Sequence, residues 1–305
     1  MRERGYLSIL LVLLVSLGSS IVLSEQSPLG QRAEEGDAAA QYILGLSYLG
    51  GSGVEQNYAE ATKWLRLAAL QDQAAAQFTL GYLYQEGKGV TKNYSQAVAY
   101  YRAAAEQQHV IAQNNLASMY ERGWGVSQNL HEAIHWYRVA AEHGDPTAQC
   151  NLATLYFLGR GLRRDDEQAA QWFRAAAVQG LPSAENNLAF MYYTGRGVPR
   201  DYVEAAKWTR RAAERGYALA ETDLGYLYEQ GKGVPLDYVA AYTWYSIGAS
   251  GGDGRSTTRM KAVSHLMRPR DVTEAERLAF AHLARQHKNS ARQNSDVKAS
   301  MLDRH

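Results

Sequence analysis

LPSAENNLAFMYYTGRGVPRDYVEAAKWTRRAAERG, residues 181–216, is one complete unit of a pattern that fills most of this 305-residue chain. Its tetrapeptide GRGV at 195 recurs as GSGV at 51, GKGV at 87, GWGV at 123, GRGL at 159 and GKGV at 231. Each step is 36 residues without one insertion, so six units occupy residues 37–72, 73–108, 109–144, 145–180, 181–216 and 217–252. A fixed period of this length marks an architecture in which one supersecondary unit stacks on the next.

Ala184, Leu188 and Tyr192 stand four residues apart, and Leu44, Leu80, Leu116, Leu152 and Leu224 keep the same spacing to their own Ala and Tyr. That is the apolar stripe of an amphipathic helix, helix A. After the glycines, Asn57, Asn93, Asn129, Asp165, Asp201 and Asp237 are suited to N-cap a second helix. Glu60, Gln96, Glu132, Gln168 and Glu204, three residues further on, complete a capping-box pattern that Ala240 breaks. Helix B then presents Ala61, Trp64, Leu65, Ala68 and Ala69, or their counterparts, on one face. Gly144, Gly180, Gly216 and Gly252 end the last four copies as left-handed C-caps, where Asp72 and Gln108 stand in the first two.

One such hairpin cannot bury both its faces, and stacked hairpins can. The expected fold is therefore all-α, a right-handed α-solenoid of six 36-residue helical hairpins with at least twelve antiparallel helices and no sheet. Residues 25–36 lead into it, with 31–36 reading as the last turn of a preceding helix. Residues 253–288 form a C-terminal helical cap, in two segments, 254–267 and 272–287, separated by Pro269. The polar stretch 289–305 reads as a disordered tail.

Composition narrows the function classes. Lys plus Arg (32) nearly balances Asp plus Glu (31), so no overall field gathers nucleic acid or an anionic membrane. The excess of basic residues at 253–305 reads as a solvated end. A short positive start and an apolar run over residues 7–15 predict an export signal over 1–24, cleaved between residues 24 and 25. The alternative is an uncleaved anchor in the inner membrane; otherwise no membrane contact is expected. Cys150 is the only cysteine, so no intramolecular disulfide forms and packing must supply stability. Its readings are a small, partly buried side chain or an intermolecular thiol.

HEAIHW, residues 131–136, matches the spacing of a zinc-peptidase motif, with His131 and His135 as ligands and Glu132 as base. The repeat accounts for each of these residues. Glu132 occupies the capping-box column, Ala133 an alanine column, and His135 a mostly polar column shared with Lys63, Ala99, Gln171, Lys207 and Thr243. His143 stands eight residues after His135, where a third ligand would need six. GASGG at 248–252 has the letters of a nucleophile elbow around Ser250 but no strand before it. No G-K-S/T follows the glycine turns, as a phosphate loop requires. No catalytic residue, metal or cofactor is expected.

These columns resemble the Sel1-like repeat family. Its pattern A-x-x-x-L-G/A-x-x-Y, G-x-G-V, D/N-Y-x-x-A-x-x-W-Y, then A-A and G, is met nearly in full by residues 181–216. The departures are local: Leu130 and Asp166 replace the Tyr after the cap, Tyr100 replaces Trp, and Gly248 replaces an Ala. The uniform period is similar to that of bacterial members, and MRPRDVTEAERLAFAHL at 267–283 is similar to the cap of exported ones. The disulfides of cysteine-rich relatives have no counterpart here. The resemblance implies a non-catalytic adaptor that binds a protein or peptide partner, in envelope signalling, assembly or host interaction. With the export signal, the implied location is periplasmic or secreted. The competing reading is a zinc-dependent peptidase or cell-wall hydrolase using HEAIH.

The partner-binding surface is expected on the concave, helix-A side. Residues two before and two after each Leu lie four apart, roughly opposite the packed stripe, and vary freely. Phe78, Tyr82, Phe190 and Tyr226 are its aromatic candidates. Immediately before the Leu, Asn115, Asn151 and Asn187 form an amide ladder, continued by Asp223, able to pair with an extended backbone or to bond within their own hairpins. Ser52, Lys88, Trp124, Arg160, Arg196 and Lys232 stand between the paired glycines, predicting a basic edge. Trp124 is either a partner anchor or a ring folded back onto a neighbouring helix.

Overall fold

The computed structural model describes residues 27–302. The export-signal reading of residues 1–24 lies outside the described residues, as do residues 25, 26 and 303–305. Among the described residues there are fifteen helices and no strand, and none of these helices is long and apolar enough to cross a membrane.

The chain divides into two compact units. The first runs to His143 and also takes the residues from Gln293 onward. It holds α1 (Pro28–Glu34) and three hairpins: α2 (Ala38–Gly50) with α3 (Tyr58–Ala69), α4 (Ala74–Glu86) with α5 (Tyr94–Glu106), and α6 (Val110–Arg122) with α7 (Leu130–Glu142). The second, Gly144–Arg292, has α8 (Pro146–Leu158) with α9 (Asp166–Val178), α10 (Pro182–Thr194) with α11 (Tyr202–Glu214), and α12 (Ala218–Gln230) with α13 (Tyr238–Ser250). It also holds α14 (Gly254–Ser264) and the part of α15 (Pro269–Leu302) that runs to Arg292. Within each unit consecutive hairpins pack on one another, the solenoid arrangement that the repeat predicts.

The predicted stripe is the core. All six column leucines, Leu44 to Leu224, are fully buried, together with the alanines four residues before them. Hydrogen bonds then tie neighbours in register. In the first unit Arg66 and Arg102 reach eighteen residues ahead to the phenols of Tyr84 and Tyr120, at 2.7 and 2.6 Å. Arg174 and Arg210 do the same to Tyr192 and Tyr228 in the second. Tyr101, Tyr137 and Tyr245, buried on helix B, donate sixteen residues back to Gln85, Glu121 and Glu229.

All six predicted N-caps form, each Asn or Asp side chain accepting from backbone N–H groups two or three residues on. The N–H of each cap residue goes to the helix-A tyrosine carbonyl, from Asn57 to Tyr48 at 2.9 Å through Asp237 to Tyr228 at 3.1 Å. That donor is therefore committed to closing the hairpin. Two of the N3 glutamates turn instead to neighbours on their own helix, Glu60 to Lys63 and Glu204 to Lys207 and the Trp208 indole.

The two glycines of each turn have different causes. The first caps helix A in the left-handed region, as Gly231 does at φ +61°. The second is also left-handed, and in Gly89, Gly125, Gly197 and Gly233 a Cβ would meet the backbone of the preceding hairpin. A Cβ at Gly197 would stand 1.9 Å from the Asp166 carbonyl oxygen, and one at Gly233 1.8 Å from that of Tyr202.

At the C-terminal end, Pro269 is the first residue of α15 and not part of a separator, since a first-turn proline sacrifices no helical hydrogen bond. Ala275 and Ala279 bury against α13, where Thr243 donates to the Ala275 carbonyl at 3.2 Å. The backbone of α15 stays helical to Leu302, beyond residue 288 where the cap was expected to give way to a tail.

Candidate functional site

The residues chosen as a partner surface separate into two groups. Phe78 is only 5% exposed, its ring stacked on His109 at 4.6 Å and near Tyr101 at 6.1 Å. It belongs to the core and to no surface. Asn114, Cys150 and Thr222, at the same position of their repeats, are buried too. Helix A packs against its own helix B and the helix B of the preceding repeat, and side chains of the next helix A also reach it, as Ser183 and Asn187 reach Cys150, so its buried arc is wider than one stripe. Burial also pushes the Cys150 thiol up to about 11, beside Ser183 and Asn187, and leaves it an inert core side chain.

The residues two after the Leu reach the surface more often. Tyr82 is half-buried, its hydroxyl accepting from Lys88 at 2.9 Å. Phe190 is 47% exposed and meets Phe157 edge-on. The amides of the ladder have contacts inside the fold: Asn115 accepts from Asn114 at 3.4 Å, and Asn187 lies 3.9 Å from the Cys150 sulfur. Asn151, half-buried, also has partners within the fold.

Phe190 and Tyr226 are brought together. They stand on the rim of a cavity of about 380 Å³ between α10 and α12, in the second unit. Ala189, Leu227 and Tyr245 line its apolar part, and Tyr193 stands 6.2 Å from Tyr226. Asn186, Asp223 and, from α14, Arg255 and Arg259 supply polar groups. Arg255 pairs with Asp253 at 2.7 Å and with Asp223 at 3.3 Å. Arg259 lies 4.7 Å above the Tyr226 ring and pairs with Glu229 at 3.2 Å. Burial pushes the Asp223 carboxyl up, while Arg255 and the Asn186 amide oppose that shift. A pocket of this size, mostly apolar with a few converging polar groups, can hold one large side chain with its attached backbone.

Three of the four basic turn residues are engaged by neighbouring side chains. Lys88 sits on Tyr82, Lys232 donates to Tyr193 at 2.6 Å, and Arg196 forks onto Asp166 while lying over Phe157. Trp124 stacks on Tyr94 of the preceding hairpin at 5.2 Å, with Arg122 on its ring at 4.6 Å. The folded-back alternative is the one the structure takes. Trp124→Ala should accordingly lower stability by about 1–2 kcal/mol in urea unfolding, through lost stacking and burial.

His131 and His135 are exposed on α7, and the Asn129 cap accepts from the backbone of His131 and Glu132. Among the described residues no three His, Cys, Asp or Glu side chains are grouped so as to hold a metal. Ser250 bonds to the Ile247 carbonyl at the end of α13.

One column escaped the sequence reading. Three residues before each Leu stand Gln41, Gln77, Gln113, Gln149, Glu185 and Glu221, all buried. Gln71, Gln107 and Gln179, thirty residues on, bond to three of the four glutamines at 2.8–2.9 Å. Arg215 occupies that place for Glu185, which Arg211 also holds, at 2.8 and 3.0 Å. For Glu221 the place falls to Gly251, and Gln286 of α15 bonds to the carboxyl instead. The recurrence at thirty residues was the available signal.

The Sel1 repeat model matches residues 38–73, 74–109, 110–145, 146–181, 182–217 and 218–253. A solved structure of a protective antigen present in uropathogenic Escherichia coli strains, displaying an SLR fold, is 35% identical with a TM-score of 0.76. The match covers 85% of this chain and 56% of that one, so this chain spans little more than half the relative's length. A Sel1 repeat protein from Oxalobacter formigenes is 34% identical over 73% of this chain and 88% of its own, with a TM-score of 0.66. No curated protein matches.

Proposed function

This chain belongs to the Sel1 repeat family, and from that membership we propose that it is a non-catalytic scaffold binding a protein partner on its helix-A side. Sel1 repeat proteins are in general protein–protein interaction scaffolds. The observation that carries the reading to particular residues is the cavity between α10 and α12, rimmed by exposed Phe190 and by Tyr226. Aromatic anchors around a pocket are the usual centre of binding energy in an interface. The proposed location is the cell envelope or the exterior, on the strength of residues 1–24. A relative described as a protective antigen suits such exposure.

Crosslinking capture from the native envelope, read by mass spectrometry, tests this. The Phe190→Ala, Tyr226→Ala double variant should lose the captured partner at least about tenfold, as expected when hot-spot aromatics go. Its melting should shift by no more than a few degrees. Capture unchanged by the double variant would place the interface elsewhere, and recovery of the chain in the cytoplasm would overturn the location.

A further inference from the structure

The polar end of the cavity has a definite chemical preference. Its two arginines are already engaged: Arg255 uses Nε and Nη2 on Asp253 and Nη1 on Asp223, and Arg259 uses Nη1 on Glu229. The Asn186 carbonyl oxygen, in contrast, is buried with no hydrogen-bond partner. Asp223 has only the 3.3 Å contact to Arg255 and the Asn186 amide beside it. The remaining N–H groups of Arg259 belong to a side chain that is 46% exposed, so the buried open valence at this end is an acceptor, the Asn186 oxygen, and it calls for a donor. Charge does not select an ion. Arg255, Arg259 and Lys232 are matched by Asp223, Glu229 and Asp253, so the surroundings are neutral. The rings of Tyr226 and Tyr193 already carry Arg259 and Lys232, which leaves no aromatic cage for an incoming cation. Phe190 at the rim and Ala189, Leu227 and Tyr245 beneath offer apolar contact.

We infer that this cavity takes one large apolar side chain of an extended peptide segment, whose uncharged backbone N–H groups donate to Asn186 and Asp223. The inference rests on the scaffold reading but adds a chemistry to it: an apolar residue flanked by free amide donors, bound with little dependence on salt. It also explains why repeat 6 has Asp223 where three repeats before it have Asn at the same position. A carboxylate is the stronger acceptor for such a donor.

The probe is N-acetyl-L-phenylalaninamide, titrated against the full chain and followed by ligand-observed saturation-transfer NMR. A saturable Kd of about 1–10 mM is expected for so small a ligand. N-acetyl-L-alaninamide should bind at least about tenfold more weakly, since it lacks the apolar group. N-acetyl-L-phenylalanine, which has carboxylate acceptors in place of the carboxamide N–H donors, should bind several-fold more weakly. Ala189→Leu, which fills the cavity, and Phe190→Ala, at an exposed position, should each reduce binding at least fivefold, with melting checked alongside. Equal signals from all three probes, or phenylalaninamide binding unaffected in both variants, would overturn the inference. Tighter binding of 2-phenylethylammonium than of the amide would overturn it in favour of a cationic ligand. Partner capture that depends on Phe190 while these probes fail would leave the scaffold reading standing and remove only the peptide pocket.

Discussion

Gly233→Ala is expected to destabilise the second unit by about 4 kcal/mol or more, while Gly231→Ala, two residues earlier in the same turn, costs about 1–2 kcal/mol. Both glycines are left-handed, at φ +61° and +70°, and both substitutions incur the strain of an L residue there. Their surroundings differ. A methyl at 231 meets the Leu236 side chain and backbone at 3.4 Å, an ordinary contact. A methyl at 233 would overlap the Tyr202 carbonyl at 1.8 Å, and only separation of the two hairpins relieves it. Urea unfolding with native-state hydrogen exchange distinguishes the two. Amides of α12 and α13 should lose protection in Gly233→Ala, because in a stack each interface contributes directly to stability. Equal effects of the two substitutions would refute the close-approach account.

The second large effect is in pH. Glu221 is 3% exposed and lacks the paired arginines of Glu185, and burial pushes its carboxyl up to about 7, with Gln286 of the cap opposing. An acid raised above its unfolded value binds more protons folded than unfolded, so stability falls as pH rises between about 4.5 and 7 and is flat above. The full loss is on the order of 3 kcal/mol. Burial lowers the nearby His282, whose surroundings include Glu214 and Arg285, so its contribution runs the other way and appears only on acidification. Glu221→Gln should be more stable than the parent at pH 8 and should lose the slope between pH 5 and 7. A parent unfolding curve that is level over that window would refute the assignment.

Much of this was legible in the repeat. Six aligned leucines, tyrosines and caps placed every hairpin, because each column has one structural duty that only a few residue types satisfy. The site was legible in part. Phe190 and Tyr226 stood out as aromatics in variable positions and do share a cavity. Phe78 stood out equally and is core, since periodicity locates the strongest stripe of a helix and not the second face that a stacked neighbour covers. The capping box read correctly as a sequence pattern, yet the Asn57 N–H it would engage is taken by the Tyr48 carbonyl. Competition of that kind, between a local and a tertiary acceptor, leaves no trace in residue spacing. Nor does Glu221 differ from Glu185 until Gly251 is placed opposite it.

The hydrogen bonds between hairpins, from Arg66 to Tyr84 and from Gln179 to Gln149 alike, reach only an adjacent repeat. Pulled from its two ends, a unit tied this way has no brace running across several layers at once. Tension would release it one 36-residue hairpin at a time, each giving up about 110 Å of slack before the next bears the load. In a force trace the molecule would act as a spring with countable stops, and the spacing of those stops would be set by the interval between one glycine pair and the next.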